Sequence, residues 1–263
     1  MKLCNGRHSL PSIFSWILLL FLIQSSRPIY GQNQHFMPFG LSFGFETVKD
    51  EALSPVSYSG PLGGVLIGYQ FESEKWLTHL HLNGLGGYQH PDVNRENNKS
   101  ETLSGLVRAN LMGARRIFVL KDWHVYGGLN SINLVDYRQH NRYGNSSENF
   151  VGHLSLGPIL TTQRNFELFQ KQWLFHFQFS FPVGTYYFRP GYVKPLSNQE
   201  IGNKDFAFWG DFYLLETKTE LRWILKNENQ LRLTYHWEFS QLDKLNKVQT
   251  NLQQVSLSTV FKF

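Results

Sequence analysis

The chain has 263 residues, a net charge of +5 and 16% aromatic residues, yet its mean hydropathy is negative, at -0.31. The positive charges are scattered with no basic run, which argues against nucleic acid and suits anionic lipopolysaccharide head groups. Past the N-terminus no apolar run approaches the roughly 20 residues of a membrane-spanning helix, so a helical membrane protein is excluded. Many aromatics with a negative hydropathy are expected where one face of each strand meets lipid and the other meets water.

The N-terminus has the features of a secretory signal. A basic head that includes Arg7 precedes an apolar stretch at residues 13–23, which is short for a membrane helix. We predict that residues 1–31 are a cleaved signal peptide and that residues 32–263 form one outer-membrane β-barrel domain. A retained N-terminal anchor is the alternative. The single cysteine, Cys4, precedes the apolar stretch, so the mature chain would contain no disulfide.

Ten segments of the remaining chain alternate apolar and polar residues with a period of two, which is typical of half-buried strands. The seventh is the clearest, because Trp173, Phe175 and Phe177 share one face with further aromatics. A soluble protein would not leave such an apolar face bare, so either a second sheet or lipid covers it. In chain order the segments are expected at about residues 37–47, 63–72, 76–90, 101–116, 123–139, 151–164, 173–189, 206–225, 230–241 and 254–263.

Long and short connections alternate between these segments. Short ones are expected near residues 73–75, 120–122, 166–171 and 226–229, and longer ones at 49–62, 91–100, 140–150 and 194–205, with a smaller one at 243–247. Short periplasmic turns and longer extracellular loops are typical of outer-membrane barrels. We therefore predict an all-β fold, a transmembrane antiparallel β-barrel of ten strands with both termini in the periplasm. Eight or twelve strands would follow if a weak segment, such as the first or sixth, were misassigned.

Tryptophans next to the short turns support the membrane assignment. Trp76, Trp123 and Trp173 follow short turns and Trp223 precedes one, as expected of an aromatic girdle at the periplasmic interface. A soluble β-sandwich or a lipocalin-like barrel is the alternative, but its loops would not sort by length.

The last strand carries an assembly signal in this interpretation. Val255, Leu257, Phe261 and Phe263 share one face, and the chain ends on the aromatic Phe263. A terminal strand of this kind resembles the one by which bacterial outer-membrane barrels are recognised, so the barrel assembly machinery is an expected partner during biogenesis.

The chain as a whole resembles the small outer-membrane barrels of Bacteroidota-type bacteria. The resemblance rests on Tyr30, Gly31 and Gln32 at the end of the signal, on the glycine- and aromatic-rich strand at residues 63–69, and on the terminal residues 260–263. It is architectural and includes no catalytic motif, so it implies the location and the fold but no activity.

The inward faces of the strands carry many polar residues, which form either the structural network of a narrow lumen or a ligand site. Glu220 or Glu216 is expected to pair with Arg232, and Arg222 with Glu238. Imidazoles and carboxylates can also ligate zinc or a similar metal, although no cofactor is predicted. The candidate cluster in the half of the lumen near the short turns comprises His79, His81, His124, His176, His236, Glu220 and Glu238.

Two classes of outer-membrane enzyme have site residues that can be compared with those of this chain. Omptin proteases place acidic and Asp-His pairs at the outer rim, and the rim candidates Asp92, Asp136, His90 and His140 lack that paired motif. Lipid A deacylases use a His, a Ser and an acid that face the membrane. His236, Glu238 and Ser240 are superficially similar to that set, but they share the polar face of their strand and lack the family's motif.

The leading functional prediction is therefore a non-enzymatic structural or accessory component of an outer-membrane assembly. Its expected partners are outer-membrane lipid, lipopolysaccharide and other outer-membrane proteins. A narrow pore or ligand-uptake channel is the alternative, supported by the polar inward faces, and a lipid A-modifying hydrolase is a second alternative.

Overall fold

The computed structural model describes residues 33–52, 54, 56–92, 101–141, 148–189, 203–244 and 246–263, so the predicted signal peptide lies outside the described residues. No helix in this part of the chain is long and apolar enough to span a membrane. The strands within it are β1 (Gln34–Asp50), β2 (Tyr58–Glu72), β3 (Trp76–Pro91), β4 (Thr102–Leu120), β5 (Trp123–His140), β6 (Glu148–Leu168), β7 (Lys171–Ser180), β8 (Gly184–Arg189), β9 (Asn203–Phe208), β10 (Phe212–Ile224), β11 (Gln230–Leu242) and β12 (Val248–Lys262).

Ten of these strands close into an antiparallel barrel, as the sequence predicts. Strands β1 to β7 pair in chain order, β7 pairs directly with β10, and β10 to β12 continue the ring. The ring closes where β12 pairs with β1, with Leu257 opposite Leu41. Two short outer strands complete the fold, because β8 pairs with β6 and β9 pairs with β8. Closure leaves the ring without a free edge.

The predicted seventh and eighth segments are each broken in two. Between the β6–β7 and β6–β8 pairings the register shifts by one residue, from Ile159 opposite Ser180 to Leu156 opposite Gly184. Pro182 lies at this bulge. Proline has no backbone N–H, and at a bulge no hydrogen bond of the β-ladder is lost by its absence. The second break, between β9 and β10, contains Gly210 at φ +119°, a conformation that favours glycine.

Charged side chains link the two outer strands to the rim of the barrel. Arg189 on β8 donates to Asp50 on β1 at 2.9 Å. Lys244 in the connection before β12 donates to Asp205 on β9 at 3.1 Å. This hydrogen bond raises the pKa of Lys244. These contacts link both β8 and β9 to the rim of the barrel.

Successive connections fall at alternate ends of the barrel, as predicted, but their lengths do not alternate strictly, because 225–229 and 243–247 are both five residues. The strands that flank 73–75, 121–122, 169–170 and 225–229 meet at one end, here called the short-turn end. The strands that flank 51–57, 92–101, 141–147, 190–202 and 243–247 end at the other, the long-loop end. Phe169 and Gln170 both have positive φ, as a two-residue hairpin of type I′ requires. The first and last strands start and finish at the short-turn end, where Phe36 pairs with Lys262.

The outer surface is apolar. On β1, Phe39, Leu41 and Phe43 are 54–66% exposed, whereas Ser42 and Glu46 on the alternate face are fully buried in the lumen. A soluble sandwich or lipocalin would have the reverse arrangement, so that alternative is wrong. An apolar exterior around a closed, hydrogen-bonded ring is the arrangement that a membrane-spanning sheet requires.

The predicted tryptophan girdle lies next to the short turns. Trp173 and Trp223 stack with ring centroids 6.0 Å apart, and the Arg115 guanidinium lies over the Trp76 ring at 5.7 Å. The Arg164 guanidinium lies in the same way over Trp123, at 5.7 Å. Amphipathic rings at one height suit the boundary between hydrocarbon and water.

Candidate functional site in the barrel lumen

A layer of charged side chains crosses the lumen in the half nearer the short turns. Arg222 on β10 donates to Glu72 on β2 at 2.6 Å and to Glu220 at 2.7 Å. Arg232 on β11 donates to Gln70 on β2 at 2.7 Å. These contacts join walls that are not neighbours in the ring. We call this layer the ion-pair plug; its members are Gln70, Glu72, His79, His81, His176, Lys218, Glu220, Arg222 and Arg232.

The plug brings together four of the seven predicted cluster residues. His79 Nε2 lies 3.2 Å from Glu72 Oε1, and His176 Nδ1 lies 3.2 Å from Glu220 Oε2. The rings of His79 and His176 meet edge to face at 5.8 Å. His81 accepts from Lys218 Nζ at 3.0 Å. The structure therefore brings His79, His81, His176 and Glu220 together in one layer of the lumen, and ligand binding by them stays a prediction.

The predicted pairing of Glu220 with Arg232 is confirmed, since Arg232 Nε lies 3.6 Å from Glu220 Oε2. The predicted pairing of Arg222 with Glu238 is wrong. The antiparallel register sets Arg222 beside Arg232 and Glu238 beside Glu216, so the two lie several residues apart along the strands. At about 3.3 Å per residue no side chain spans that separation.

His236 and Glu238 instead belong to a second layer, nearer the long-loop end. Arg108 on β4 forms an ion pair with Glu238 on the opposite wall. His236 Nε2 lies 3.1 Å from Glu216 Oε1, and Asn110 on β4 donates to the same carboxylate oxygen at 3.1 Å. The two facing glutamates are thus both paired: Glu238 has a cation from across the lumen, and Glu216 has an imidazole from the next strand and an amide from across the lumen.

His124 does not join either layer. It is half-buried at the short-turn end, within the field of Arg116, Glu74 and Asp122. In the described residues no group of three or more His, Cys, Asp or Glu side chains is arranged to hold a metal ion. The inward imidazoles are engaged by carboxylates, amides and cations, so their geometry favours the structural interpretation.

The lumen also contains apolar layers that the sequence interpretation missed. One inward cluster consists of Leu62, Leu85, Leu106, Leu134 and Leu252. A second consists of Ile132, Tyr187, Ala207, Phe212, Leu214, Leu242 and Val248. The alternation of faces along each strand could have revealed them. Leu85 lies on the same inward face as Asn83, and Leu106 lies on the same inward face as Arg108. A lumen with its own apolar core differs from the water-filled lumen of a porin.

A cavity of about 40 Å³, partly open to solvent, lies in the long-loop half above the charged layers. Its walls are mainly apolar, and its polar lining includes Glu46, Asp136 and Arg138. A smaller pocket of about 10 Å³ shares Arg138 and is also lined by Asp50 and His140. The larger cavity therefore has room for a ligand group of a few non-hydrogen atoms.

The rim candidates for omptin-like chemistry do not pair with one another. Asp136 forms an ion pair with Arg138, and His140 Nδ1 is bonded to Thr102 Oγ1 at 2.7 Å. Asp92 accepts from Ser59 Oγ, and His90 is exposed. The three residues similar to the lipid A deacylase set face the lumen, as the alternation along their strand predicts. His236 and Glu238 are buried there, and Ser240 lines the cavity.

The residues of the predicted assembly signal face outward. Val255, Leu257, Phe261 and Phe263 are all exposed on the outer surface of the last strand. The aromatic ring of Phe263 lies 6.0 Å from the His35 ring at the start of β1, where the barrel closes. Their recognition by the assembly machinery stays a prediction.

No protein-family model matches the sequence, and no curated protein matches it. Solved structures with a similar fold include the outer membrane protease OmpT from Escherichia coli, with 6% identity, a TM-score of 0.49, and coverage of 91% of this chain and 99% of that one. The translocator domain of the autotransporter NalP from Neisseria meningitidis has 7% identity, a TM-score of 0.37 and coverage of 87% and 89%. The outer membrane protein OprG from Pseudomonas aeruginosa has 10% identity, a TM-score of 0.33 and coverage of 89% and 97%.

Identities of 6–10% identify neither a family nor an activity for this chain. The class is decided by the chain's own geometry. Ten antiparallel strands close without an edge, apolar side chains face outward, and charged side chains face a lumen. A ring of this kind satisfies every backbone group in hydrocarbon, and it is the form in which sheets cross bacterial outer membranes. The protein is an integral outer-membrane β-barrel.

Proposed function

We propose that this protein is a non-conducting barrel that serves as a structural or accessory component of a larger outer-membrane assembly. The proposal includes an orientation with the termini and the short turns in the periplasm. The observation that carries it is the ion-pair plug, in which Arg222 and Arg232 are fully or nearly fully buried and bonded to the opposite wall.

Opening the lumen for ions would require the plug to separate. Arg222 alone would lose its contacts with Glu72 and Glu220, and breaking one buried ion pair costs about 3–5 kcal/mol. The Arg108–Glu238 pair forms a second barrier in the adjoining layer. Two stacked layers of paired charges support a barrel that does not conduct.

An exposed apolar patch at the short-turn end supports the accessory role. Beyond a bulge in β4, residues 117–120 are four consecutive apolar residues, and all are exposed. Phe169 in the turn between β6 and β7 is 85% exposed. A run of exposed apolar residues on both faces of a hairpin is unusual unless another surface covers it. In the proposed orientation this patch is available to a partner at the periplasmic interface.

Planar-bilayer recording of the refolded protein tests the closed lumen. We expect no steady unitary conductance from the wild type. The Arg222→Ala, Arg232→Ala double variant removes two plug side chains and should produce conductance, provided that it shows heat-modifiable migration on gels. Arg115→Ala removes an arginine from the outer face and is the matched control, which should stay silent. Reproducible unitary conductance of the wild type would overturn the proposal.

Proximity cross-linking in cells tests the accessory role. We expect a discrete cross-linked partner from a probe placed at Phe169, and its loss when Leu120 is changed to Ser. Leu231→Ser alters an exposed outer residue beside another short turn and should leave the cross-link intact. Equal cross-linking in both variants would exclude the patch as the docking surface.

The cavity in the long-loop half favours ligand binding as a second candidate function. It is the observation that supports the ligand-uptake alternative, although the plug lies between it and the short-turn end. The lipid A hydrolase alternative gains no support from the geometry, since His236 and Glu238 are turned away from the lipid.

A further inference from the structure

The cavity in the long-loop half has a carboxylate-rich lining. Glu46 on β1, Asp136 on β5 and Glu238 on β11 all line it, and Arg138 is its one lining guanidinium. Glu238 is already paired with Arg108, and Asp136 is paired with Arg138. Three carboxylates thus share two guanidinium groups, and the site has one negative charge in excess.

Two carboxylate oxygens in this lining lack a hydrogen bond although they are buried. Glu46 Oε2 accepts from Gln89 at 2.5 Å and from Ser104 at 3.3 Å, but Oε1 accepts none. The closest paired cation to that oxygen is Arg138, whose Nη2 lies 4.0 Å away. Asp136 Oδ1 is likewise buried and accepts no hydrogen bond. A buried, unsatisfied carboxylate oxygen is costly, so such oxygens mark a place for a donor.

The rest of the lining is suited to an apolar group. Leu106 and Leu134 line one side, and Phe212, Leu242 and Val248 line another. These residues belong to the two apolar clusters of the lumen, so the chamber is bounded by packed side chains. Concave apolar walls with a few convergent polar groups are the usual form of a small-molecule site.

We propose that this cavity binds a small amphipathic amine. The ammonium group donates to Glu46 Oε1 and Asp136 Oδ1, and the apolar part fills the chamber beside Leu134 and Phe212. The excess negative charge selects a cation over an anion. The site is independent of the proposed scaffold role, because a closed barrel can hold a ligand above its plug.

Isothermal titration calorimetry of the protein in phosphatidylcholine nanodiscs tests this site. The probe is ethylamine, which matches the small size of the cavity, and empty nanodiscs measure its partition into lipid. We expect saturable binding of one equivalent of the amine. The neutral ethanol should bind at least tenfold more weakly, because it lacks a charge-assisted hydrogen bond, and acetate should not bind.

Two variants separate the polar and apolar parts of the site. Glu46→Gln should weaken amine binding about tenfold or more while leaving the weaker alcohol unchanged. Leu134→Phe narrows the chamber and should weaken the amine and the alcohol together. Glu216→Gln makes the same change at a buried glutamate outside the cavity lining and should leave binding intact. Heat-modifiable migration confirms that each variant is folded.

Other outcomes would overturn the proposal. Equal affinity for amine and alcohol would mean an apolar chamber without a cation site, and preference for acetate would reverse the assigned charge. A lipid that co-purifies with the protein and blocks the amine would make the cavity an acyl-chain site. Absence of any saturable heat would mean that water alone satisfies the two oxygens. None of these results would alter the conductance test of the plug.

Discussion

Changing Arg222 to leucine removes the central cation of the ion-pair plug. Its guanidinium donates at 2.6 Å to Glu72 and at 2.7 and 2.9 Å to Glu220. Three charge-assisted bonds at about 1.5–3 kcal/mol each set an upper range of about 4.5–9 kcal/mol. Glu72 keeps His79, and Glu220 keeps other cations. We therefore expect a loss of about 3–5 kcal/mol in the free energy of unfolding, as for other broken buried pairs.

This loss of stability comes from carboxylates that are left buried without compensation. Adding Glu72→Gln to Arg222→Leu removes one of those charges, so the double variant should recover about 1–3 kcal/mol. Glu72→Gln alone should be destabilising, because it removes the negative charge that pairs with Arg222 and leaves only one acceptor oxygen. The two changes are thus expected to couple strongly, with the double variant more stable than the sum of the single effects.

Urea unfolding in lipid vesicles, followed by tryptophan fluorescence, measures all four proteins of this cycle. Arg116→Leu is the surface control, since Arg116 pairs with an exposed glutamate and should change stability little. A loss below about 1 kcal/mol in Arg222→Leu, or strict additivity of the two changes, would refute the assignment of Arg222 as the centre of the plug.

Three further predictions follow from other parts of the barrel. Gly64→Ala should destabilise the fold strongly, because the new Cβ would lie 1.7 Å from a carbonyl oxygen of β3. The control Gly63→Ala places its Cβ where nothing lies within 4 Å, so it should be tolerated. Equal midpoints of urea unfolding for the two variants would contradict this prediction. Phe263→Ser should slow insertion by purified assembly machinery in proteoliposomes several-fold without changing the stability of the folded product, and equal rates would remove this residue from the assembly signal. The hydrogen bond from Arg116 lowers the pKa of Glu74, so this surface ion pair is present above pH 4.5 and is lost only as the pH falls through the lowered value. A carbon-13 NMR titration should show a midpoint below 4.5 that returns toward 4.5 in Arg116→Gln, and an unchanged midpoint would show that the pair does not form in solution.

The candidate site was predictable only in part. Parity along each strand placed His79, His176 and Glu220 correctly in the lumen, because the direction of a side chain in a strand is a local property. The same parity also points Leu85 and Leu106 inward, but a period of two within one strand does not show that such residues pack together as a second core. His124 shares the inward parity and yet lies apart at the short-turn end, since height in the barrel depends on the stagger of every strand between.

The sequence by itself determined the class of the protein, the ten-stranded ring and the alternation of connections between its two ends. Each of these follows from patterns within a strand or from the length of a loop, and such patterns need no knowledge of distant residues. Only the tertiary structure decided which charges meet. Arg222 bonds to Glu72 and Arg108 to Glu238, and neither pair joins neighbouring strands. Partners across a lumen are set jointly by register, tilt and diameter, which are properties of the closed ring and of no single segment.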